Sequence, residues 1–240
     1  MLILFDIDGT LLRGAASEHA LALRRALHEV YRVGDPEGSR ESLPTVALAG
    51  RTDLEIARDV LLLCGRSARV IDNGLGRLEE TLVREYALCA PEDLSDRVVP
   101  GMDELVAELA QDTEMRLSLV TGNIEPIARS KLRRAGLGEY FESGQGGFGS
   151  DSEDRTDLPE IARRRAGTQE KPYPRERTVV IGDTPRDIAC ARADGLRCLA
   201  VTSGPYTSEE LDHADAVAEN TSQLRGLLLR ERQRDGSGLD

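Results

Sequence analysis

The sequence Met-Leu-Ile-Leu-Phe-Asp-Ile-Asp-Gly-Thr occupies residues 1–10 and decides the fold. Its unbroken apolar run predicts a strand that is buried on both faces, as in a parallel sheet. The strand leads into Asp6 and Asp8, whose side chains would share a face because side chains alternate along extended backbone. Two carboxylates this close repel each other unless a cation lies between them. The segment therefore predicts a metal site with a nucleophile and an acid or base.

Beyond this strand, the spacing of apolar residues changes character along the chain. Residues 17–89 carry them at helical spacing, and Thr52 followed by Glu55 is typical of a capping box at a helix start. From Val98 onward strands and helices alternate, which predicts a parallel sheet with right-handed crossovers. We predict helices at 102–111, 125–135, 158–166, 186–194 and 222–232, strands at 116–121, 178–182, 197–202 and 214–218, loops at 44–48 and 143–154, and a frayed tail at 234–240.

These elements predict an α/β fold with an interruption after its first strand. The first strand has the same buried character as the later ones and should join their sheet. The sheet domain would then comprise residues 1–12 and 98–240, and a helical insertion would occupy residues 13–97. Ligands of open α/β sheets bind beyond the carboxyl ends of the strands, so we expect the functional residues to lie there.

Charge and composition exclude several classes of protein. The chain has 43 acidic and 31 basic residues, a formal net charge of −12, which disfavours binding to the phosphate backbone of nucleic acid. No secretory leader and no apolar run near membrane-spanning length is evident, so we expect a cytoplasmic protein without a membrane partner. The four cysteines and the three histidines (His19, His28 and His213) lack metal-binding spacing and are expected to be incidental. The sequence indicates neither an oligomeric state nor whether its acidic, lysine-poor composition reflects salt adaptation.

Polar residues also follow two of the later strands. Thr-Gly-Asn at residues 121–123 follows one, and Gly-Asp-Thr-Pro-Arg-Asp at residues 182–187 follows another. Taken singly, such residues are typical of turns and helix caps. Together with Asp6 and Asp8 they would converge on one edge of a parallel sheet.

These three segments, in this order and each after an apolar strand, resemble the motifs of the haloacid dehalogenase superfamily of aspartate-nucleophile phosphotransferases. The resemblance covers residues 1–12 and 98–230 and implies a Rossmann-like parallel sheet. The helical insertion resembles the C1-type cap of that family. Within the superfamily, this sequence most resembles the phosphoglycolate-phosphatase-like branch.

The resemblance implies a role for each carboxylate. Asp6 would be the nucleophile that forms an aspartyl-phosphate, and Asp8 would protonate the leaving alcohol and then deprotonate the attacking water. Asp6, the backbone carbonyl of Asp8, and Asp183 would hold Mg²⁺, with Asp187 supporting the ion from one helical turn further on. Thr121 would hydrogen-bond a phosphoryl oxygen, aided by backbone N–H groups.

The resemblance also implies contacts to the substrate, a small-molecule phosphate ester. Gly122 and Asn123, next to Thr121, are expected to bind it. Arg51 lies in the turn at residues 50–53, and by resemblance to C1-cap enzymes it would contact an anionic group. The same turn is equally typical of a helix start.

The family also places a lysine, occasionally an arginine, between the second and last of these motifs. Lys131 lies in the helix after the second motif and is expected to be a solvated side chain. Lys171 lies only 12 residues before Asp183, with no predicted helix between them. Arg155 directly precedes a predicted helix and is therefore the favoured cation, with Lys171 as the alternative.

The predicted function is that of a Mg²⁺-dependent phosphatase acting on a small phosphorylated metabolite. A β-phosphoglucomutase-like phosphotransferase stays open as an alternative, because it shares the cap class and the catalytic residues. A phosphate-accepting signalling domain also uses clustered Asp residues, but it has neither a helical insertion nor need of a leaving-group acid. Dehalogenation is disfavoured by the presence of Asp8. The sequence does not identify the phosphate ester, because specificity lies in cap loops.

Overall fold

A six-stranded parallel sheet forms the centre of the molecule, as described by a computed structural model for residues 1–236. The strands are β1 (Leu2–Phe5), β2 (Arg116–Thr121), β3 (Gly147–Phe148), β4 (Thr178–Gly182), β5 (Arg197–Val201) and β6 (Ala216–Ala218). The helices are α1 (Ala16–Tyr31), α2 (Asp53–Leu63), α3 (Ala68–Cys89), α4 (Met102–Gln111), α5 (Glu125–Arg134), α6 (Leu158–Ala166), α7 (Pro185–Ala193) and α8 (Thr221–Gly236).

The strands are arranged in the order β3-β2-β1-β4-β5-β6, and all neighbours run parallel. Strand β1 lies inside the sheet. Leu2 and Leu4 pack on the face covered by α6 and α7, whereas Ile3 and Phe5 pack on the face covered by α4, α5 and α8. Burial on both faces explains the unbroken apolar run of β1. The predicted parallel α/β sheet, with the first strand as a member, is confirmed.

Helices α1, α2 and α3 lie between β1 and β2 in the chain and share an apolar cluster of their own. Leu27, Leu61, Ile71 and Leu78 are fully buried in it. The hydroxyl of Tyr31 donates a hydrogen bond of 2.7 Å to the carbonyl of Ile71, which joins α1 to α3. The helical insertion is therefore present, and its bounds of 13–97 remain a prediction. None of the helices at residues 1–236 is both long and apolar enough to cross a membrane.

The structure differs from the predicted elements at β3 and α8. Strand β3 lies inside the predicted loop at 143–154, and its two residues are too few to show an alternating pattern. Helix α8 continues to Gly236. The predicted fraying is therefore wrong for residues 234–236. The remaining predicted tail, 237–240, lies outside the described residues. The predicted loop at 44–48 is confirmed.

Candidate active site

A cavity of about 450 Å³ lies at the carboxyl edge of the sheet, beneath the helical insertion. Its floor includes residues that follow β1, β2, β4 and β5, namely Asp6, Asp8, Gly122, Asn123, Asp183, Thr184, Ser203 and Gly204. Its upper wall comes from α1, α2 and the loop before α2, and includes Ala20, Leu23, Leu48 and Ile56. The motifs that we expected to converge on one sheet edge therefore share one cavity.

Three buried carboxylates form an acidic cluster in the floor. Asp6, Asp183 and Asp187 each place an oxygen within 4.8 Å of the others. Burial raises the pKa of Asp6, against the opposing charge of Arg155, and neighbouring carboxylates raise it further. Burial, followed by the charge of Asp6, raises the pKa of Asp183. A divalent cation bound among these oxygens would remove this penalty, so the donor set fits Mg²⁺.

Small residues close around the Asp183 carboxylate. A Cβ atom at Gly9, where φ is +95°, would lie 2.2 Å from an Asp183 carboxylate oxygen, and one at Gly204 would lie 1.7 Å from the same atom. Thr10 donates a hydrogen bond of 3.1 Å to the other oxygen, Asp183 Oδ1. The turn after β1 and the loop after β5 can therefore approach the acidic cluster only with glycine at these two positions.

Arg155 supplies the buried cation next to the acidic cluster. Its side chain is 5% exposed, and its Nη2 atom donates to Asp6 Oδ1 at 2.9 Å and also to Asp187 Oδ1. Lys171 lies exposed in the loop between α6 and β4. The geometry therefore favours Arg155 over Lys171 as the cation of the site, and its catalytic role remains a prediction.

Asp187 fixes the turn that carries Asp183. Its Oδ2 atom accepts from the backbone N–H of Thr184 at 3.0 Å and from the Thr184 hydroxyl at 2.8 Å, in a reciprocal capping box at the start of α7. Its other oxygen accepts from Arg155. Because both oxygens already have donors, Asp187 suits a supporting place behind the predicted ion better than direct ligation.

Asp8 is held through one of its two carboxylate oxygens. Lys131 Nζ donates to Asp8 Oδ2 at 2.5 Å, and Asn123 Nδ2 donates to the same atom at 2.8 Å. Burial by itself raises the pKa of Asp8, but the charges of Lys131 and His19 and these hydrogen bonds bring the net pKa below its usual value. Asp8 Oδ1 is buried without a hydrogen-bond partner among the described residues.

The structure corrects two expectations, for Lys131 and for His19. Lys131 is 0% exposed rather than solvated. His19 is buried, with Nδ1 lying 3.2 Å from Lys131 Nζ and Nε2 lying 3.1 Å from Asp53 Oδ2. The sequence does contain a signal for Lys131, since it lies four residues after Ile127 and so on the buried face of α5. His19 has the same signal, since it lies four residues before the buried Leu23 and so on the buried face of α1.

The residues after β2 connect the sheet to the helical insertion. Thr121 is fully buried, and its hydroxyl oxygen accepts from Asn123 Nδ2 at 3.0 Å. The Gly122 carbonyl accepts from the backbone N–H of Asp53 at 2.9 Å, and a Cβ atom at Gly122 would lie 2.0 Å from the Arg51 carbonyl. The turn before α2 thus rests on the end of β2. The predicted phosphoryl contact of Thr121 and substrate contacts of Gly122 and Asn123 remain predictions.

Arg51 lines the cavity, but its guanidinium is engaged within the helical insertion. It pairs with Glu55 at 2.8 Å and with Asp59 at 2.5 Å, and its side chain is 7% exposed. The Thr52 side chain accepts from the backbone N–H of Glu55 at 3.1 Å and so caps α2. The helix-start interpretation of this turn is confirmed, whereas the contact of Arg51 with a substrate anion remains a prediction.

A family model described as haloacid dehalogenase-like hydrolase matches residues 1–195. The chain therefore belongs to the haloacid dehalogenase-like hydrolases, and the predicted family and hydrolase class are confirmed. It is 29% identical over 236 residues to Protein CbbY of Cereibacter sphaeroides, covering 94% of each chain. It is 27% identical over 227 residues to a phosphoglycolate phosphatase of Synechococcus elongatus, covering 92% of this chain and 94% of that protein.

A solved structure of β-phosphoglucomutase from Clostridium difficile shares the fold. The two superpose with a TM-score of 0.66 at 20% identity, covering 98% of this chain and 96% of the other. This likeness confirms the Rossmann-like α/β architecture predicted for this family.

Proposed function

We propose that the protein is a Mg²⁺-dependent phosphatase that hydrolyses a small phosphorylated metabolite through an aspartyl-phosphate on Asp6. The observation that carries this proposal is the position of Asp6 at the end of β1, between the Arg155 cation and the Asp183 carboxylate. The similarity to a phosphoglycolate phosphatase over nearly the whole chain supports phosphate-ester hydrolysis.

The acidic cluster provides the metal site in this proposal. Asp6, Asp183 and the backbone carbonyl of Asp8 would hold Mg²⁺, with Asp187 in support. The ion, when bound, supplies positive charge that offsets the repulsion among the carboxylates and the charge of the phosphate. A local source of positive charge is needed because the net charge of −12 opposes an anionic substrate.

Phosphoryl transfer to Asp6 is the first chemical step. A carboxylate oxygen of Asp6 attacks phosphorus as the bond from phosphorus to the leaving oxygen breaks. Asp8 must carry a proton at this step, against the charges of Lys131 and His19, which lower its pKa in the free protein. It gives that proton to the leaving oxygen, so the alcohol leaves neutral. Arg155, which contacts Asp6, holds the nucleophile and stabilises charge on the phosphoryl oxygens.

Hydrolysis of the aspartyl-phosphate is the second step. Water attacks phosphorus, and Asp8, now deprotonated, takes a proton from it. The bond between phosphorus and the Asp6 oxygen breaks. Inorganic phosphate leaves, and both carboxyl groups return to their starting state.

Phosphate release from a panel of metabolites tests the proposal. Purified protein with Mg²⁺ is assayed against phosphoglycolate, sugar phosphates and nucleotides, beside the Asp6→Asn variant and the exposed control Asp212→Asn. We expect inorganic phosphate from at least one substrate, no activity in Asp6→Asn and wild-type activity in the control. Isomerisation of a sugar phosphate without phosphate release would instead establish the phosphotransferase alternative. No release from any substrate, or an active Asp6→Asn variant free of deamidation, would contradict the proposal.

A further inference from the structure

Three buried polar side chains, those of Asp53, His19 and Lys131, form a continuous chain of contacts that ends at the half-buried Asp8. Asp53 Oδ2 lies 3.1 Å from His19 Nε2, and His19 Nδ1 lies 3.2 Å from Lys131 Nζ. Lys131 Nζ in turn donates to Asp8 Oδ2 at 2.5 Å. His19 belongs to α1, Asp53 begins α2, and Lys131 lies on α5. The contacts therefore connect three helices to the carboxylate.

The burial of Lys131 requires an explanation. A buried ammonium group is costly unless charged and hydrogen-bonded partners surround it. Its partners here are Asp8 and His19, so its position is fixed by the carboxylate on one side and by α1 on the other. Because Lys131 is fully buried behind Asp8, it has no surface with which to contact a substrate in the cavity.

The two donors on Asp8 leave its carboxylate oxygens unequal. Lys131 and Asn123 both donate to Oδ2, whereas Oδ1 has no hydrogen-bond partner among the described residues. A carboxylate held by two donors on one oxygen has a fixed orientation, and the buried Oδ1 atom makes no hydrogen bond among the described residues that would compete with that orientation. General acid–base catalysis depends on such an orientation, because the proton must travel along a hydrogen bond to the reacting atom.

We propose that Lys131 is a positioning residue for Asp8. With Asn123 it fixes the Asp8 carboxylate through Oδ2 and so orients it for proton exchange with the leaving group and with water. His19 and Asp53 connect this arrangement to α1 and α2, so the placement of the acid depends on the helical insertion. The inference rests on the proposed function, in which Asp8 is the acid and the base.

The dependence of rate on the leaving group tests this role. The value of kcat/KM reports transfer to Asp6, during which an alkoxide needs a proton from Asp8 and a nitrophenolate needs little assistance. The substrates are p-nitrophenyl phosphate and the alkyl phosphate with the highest kcat/KM in the metabolite panel. The variants are Lys131→Met, which keeps the length of the side chain without its charge, and Lys171→Met, the same change at the exposed lysine.

We expect Lys131→Met to lower kcat/KM for the alkyl phosphate at least about tenfold more than that for p-nitrophenyl phosphate. Lys171→Met should leave the ratio of the two values unchanged. The ratio is measured within one preparation, so it does not depend on the fraction of protein that is folded. His19→Gln, which weakens the support of Lys131, should shift the ratio in the same direction by a smaller factor, and it provides a second test if Lys131→Met does not fold.

Equal losses on both substrates would show that the buried chain has only a structural role and would overturn the inference, as would unchanged values. In either case an active wild-type enzyme would leave the proposed function standing. A wild-type protein that hydrolyses no alkyl phosphate would overturn the proposed function, and this inference with it.

Discussion

Arg155 Nη2 lies 2.9 Å from Oδ1 of Asp6, although 149 positions separate the two residues in the chain. Both side chains are buried, and Arg155 also donates to Asp187, another member of the acidic cluster. A permanently charged, planar guanidinium can contact both carboxylates at once. This pair therefore places a fixed cation next to the proposed nucleophile.

Removal of that cation should slow the reaction severely. We expect Arg155→Ala to lower kcat by about a hundredfold or more, because the phosphoryl oxygens lose a fixed positive charge in the transition state. Arg155→Lys should recover part of the loss, since it keeps the charge without the contacts to two carboxylates. Steady-state kinetics checks this, with the exposed Lys171→Ala as the control. A severe loss in Lys171→Ala, with near-normal rates in Arg155→Ala, would assign the role to Lys171.

Binding of Mg²⁺ should be measurable without turnover. We expect saturating Mg²⁺ to raise the Tm of the wild-type protein, because an ion that binds only the folded state stabilises it, by about 2.7 kcal/mol at a hundred times its Kd. Asp183→Asn should lose most of this increase. Differential scanning fluorimetry with and without EDTA provides the measurement. An equal increase in the variant would show that the ion binds elsewhere.

The stability of the metal-free protein should fall as pH rises, which is the opposite of the dependence that aspartates with a lowered pKa produce. Burial and neighbouring charge raise the pKa of Asp6 to about 7 and that of Asp183 to about 8. The folded state then binds more protons than the unfolded state between the usual carboxyl pKa and these values, so stability is present at low pH and is lost as pH rises through them.

We therefore expect the free energy of unfolding in EDTA to fall between about pH 5 and about pH 8, as measured by urea denaturation. Asp183→Asn should show a smaller fall, because one of the two groups no longer titrates. A metal-free wild-type protein whose stability rises steadily over that range would contradict the proposed crowding of carboxylates.

The fold and the carboxylate set could be predicted because their signals are local. The buried run of β1 and the polar residues after β2 and β4 are each readable within a few positions, and a parallel sheet brings strand ends to one edge. Arg155 could be placed by the helix that follows it. In contrast, β3 forms only because it pairs with β2. Its two residues are too few to show the alternating pattern that predicts a strand.

The environment of Asp8 could not be predicted for a different reason. Lys131 lies 123 positions from Asp8 and 112 from His19, so only the tertiary fold brings these side chains together. A lysine in a helix is ordinarily solvated, and the tertiary structure overrides that expectation here. The resemblance to C1-cap enzymes likewise implies an anion contact for Arg51, and it carries no sign that Glu55 and Asp59 engage this side chain.

Direct detection of phosphate on Asp6 tests the central claim. The Asp8→Asn variant should transfer phosphate from p-nitrophenyl phosphate but hydrolyse the aspartyl-phosphate slowly, because no base is left to take a proton from water. After rapid acid quench in the presence of Mg²⁺, mass spectrometry should find one added phosphoryl group on the peptide that contains Asp6, and none in the Asp6→Asn, Asp8→Asn double variant. Phosphate on another residue, or turnover by the wild-type enzyme with no phosphorylated peptide in either protein, would contradict the account.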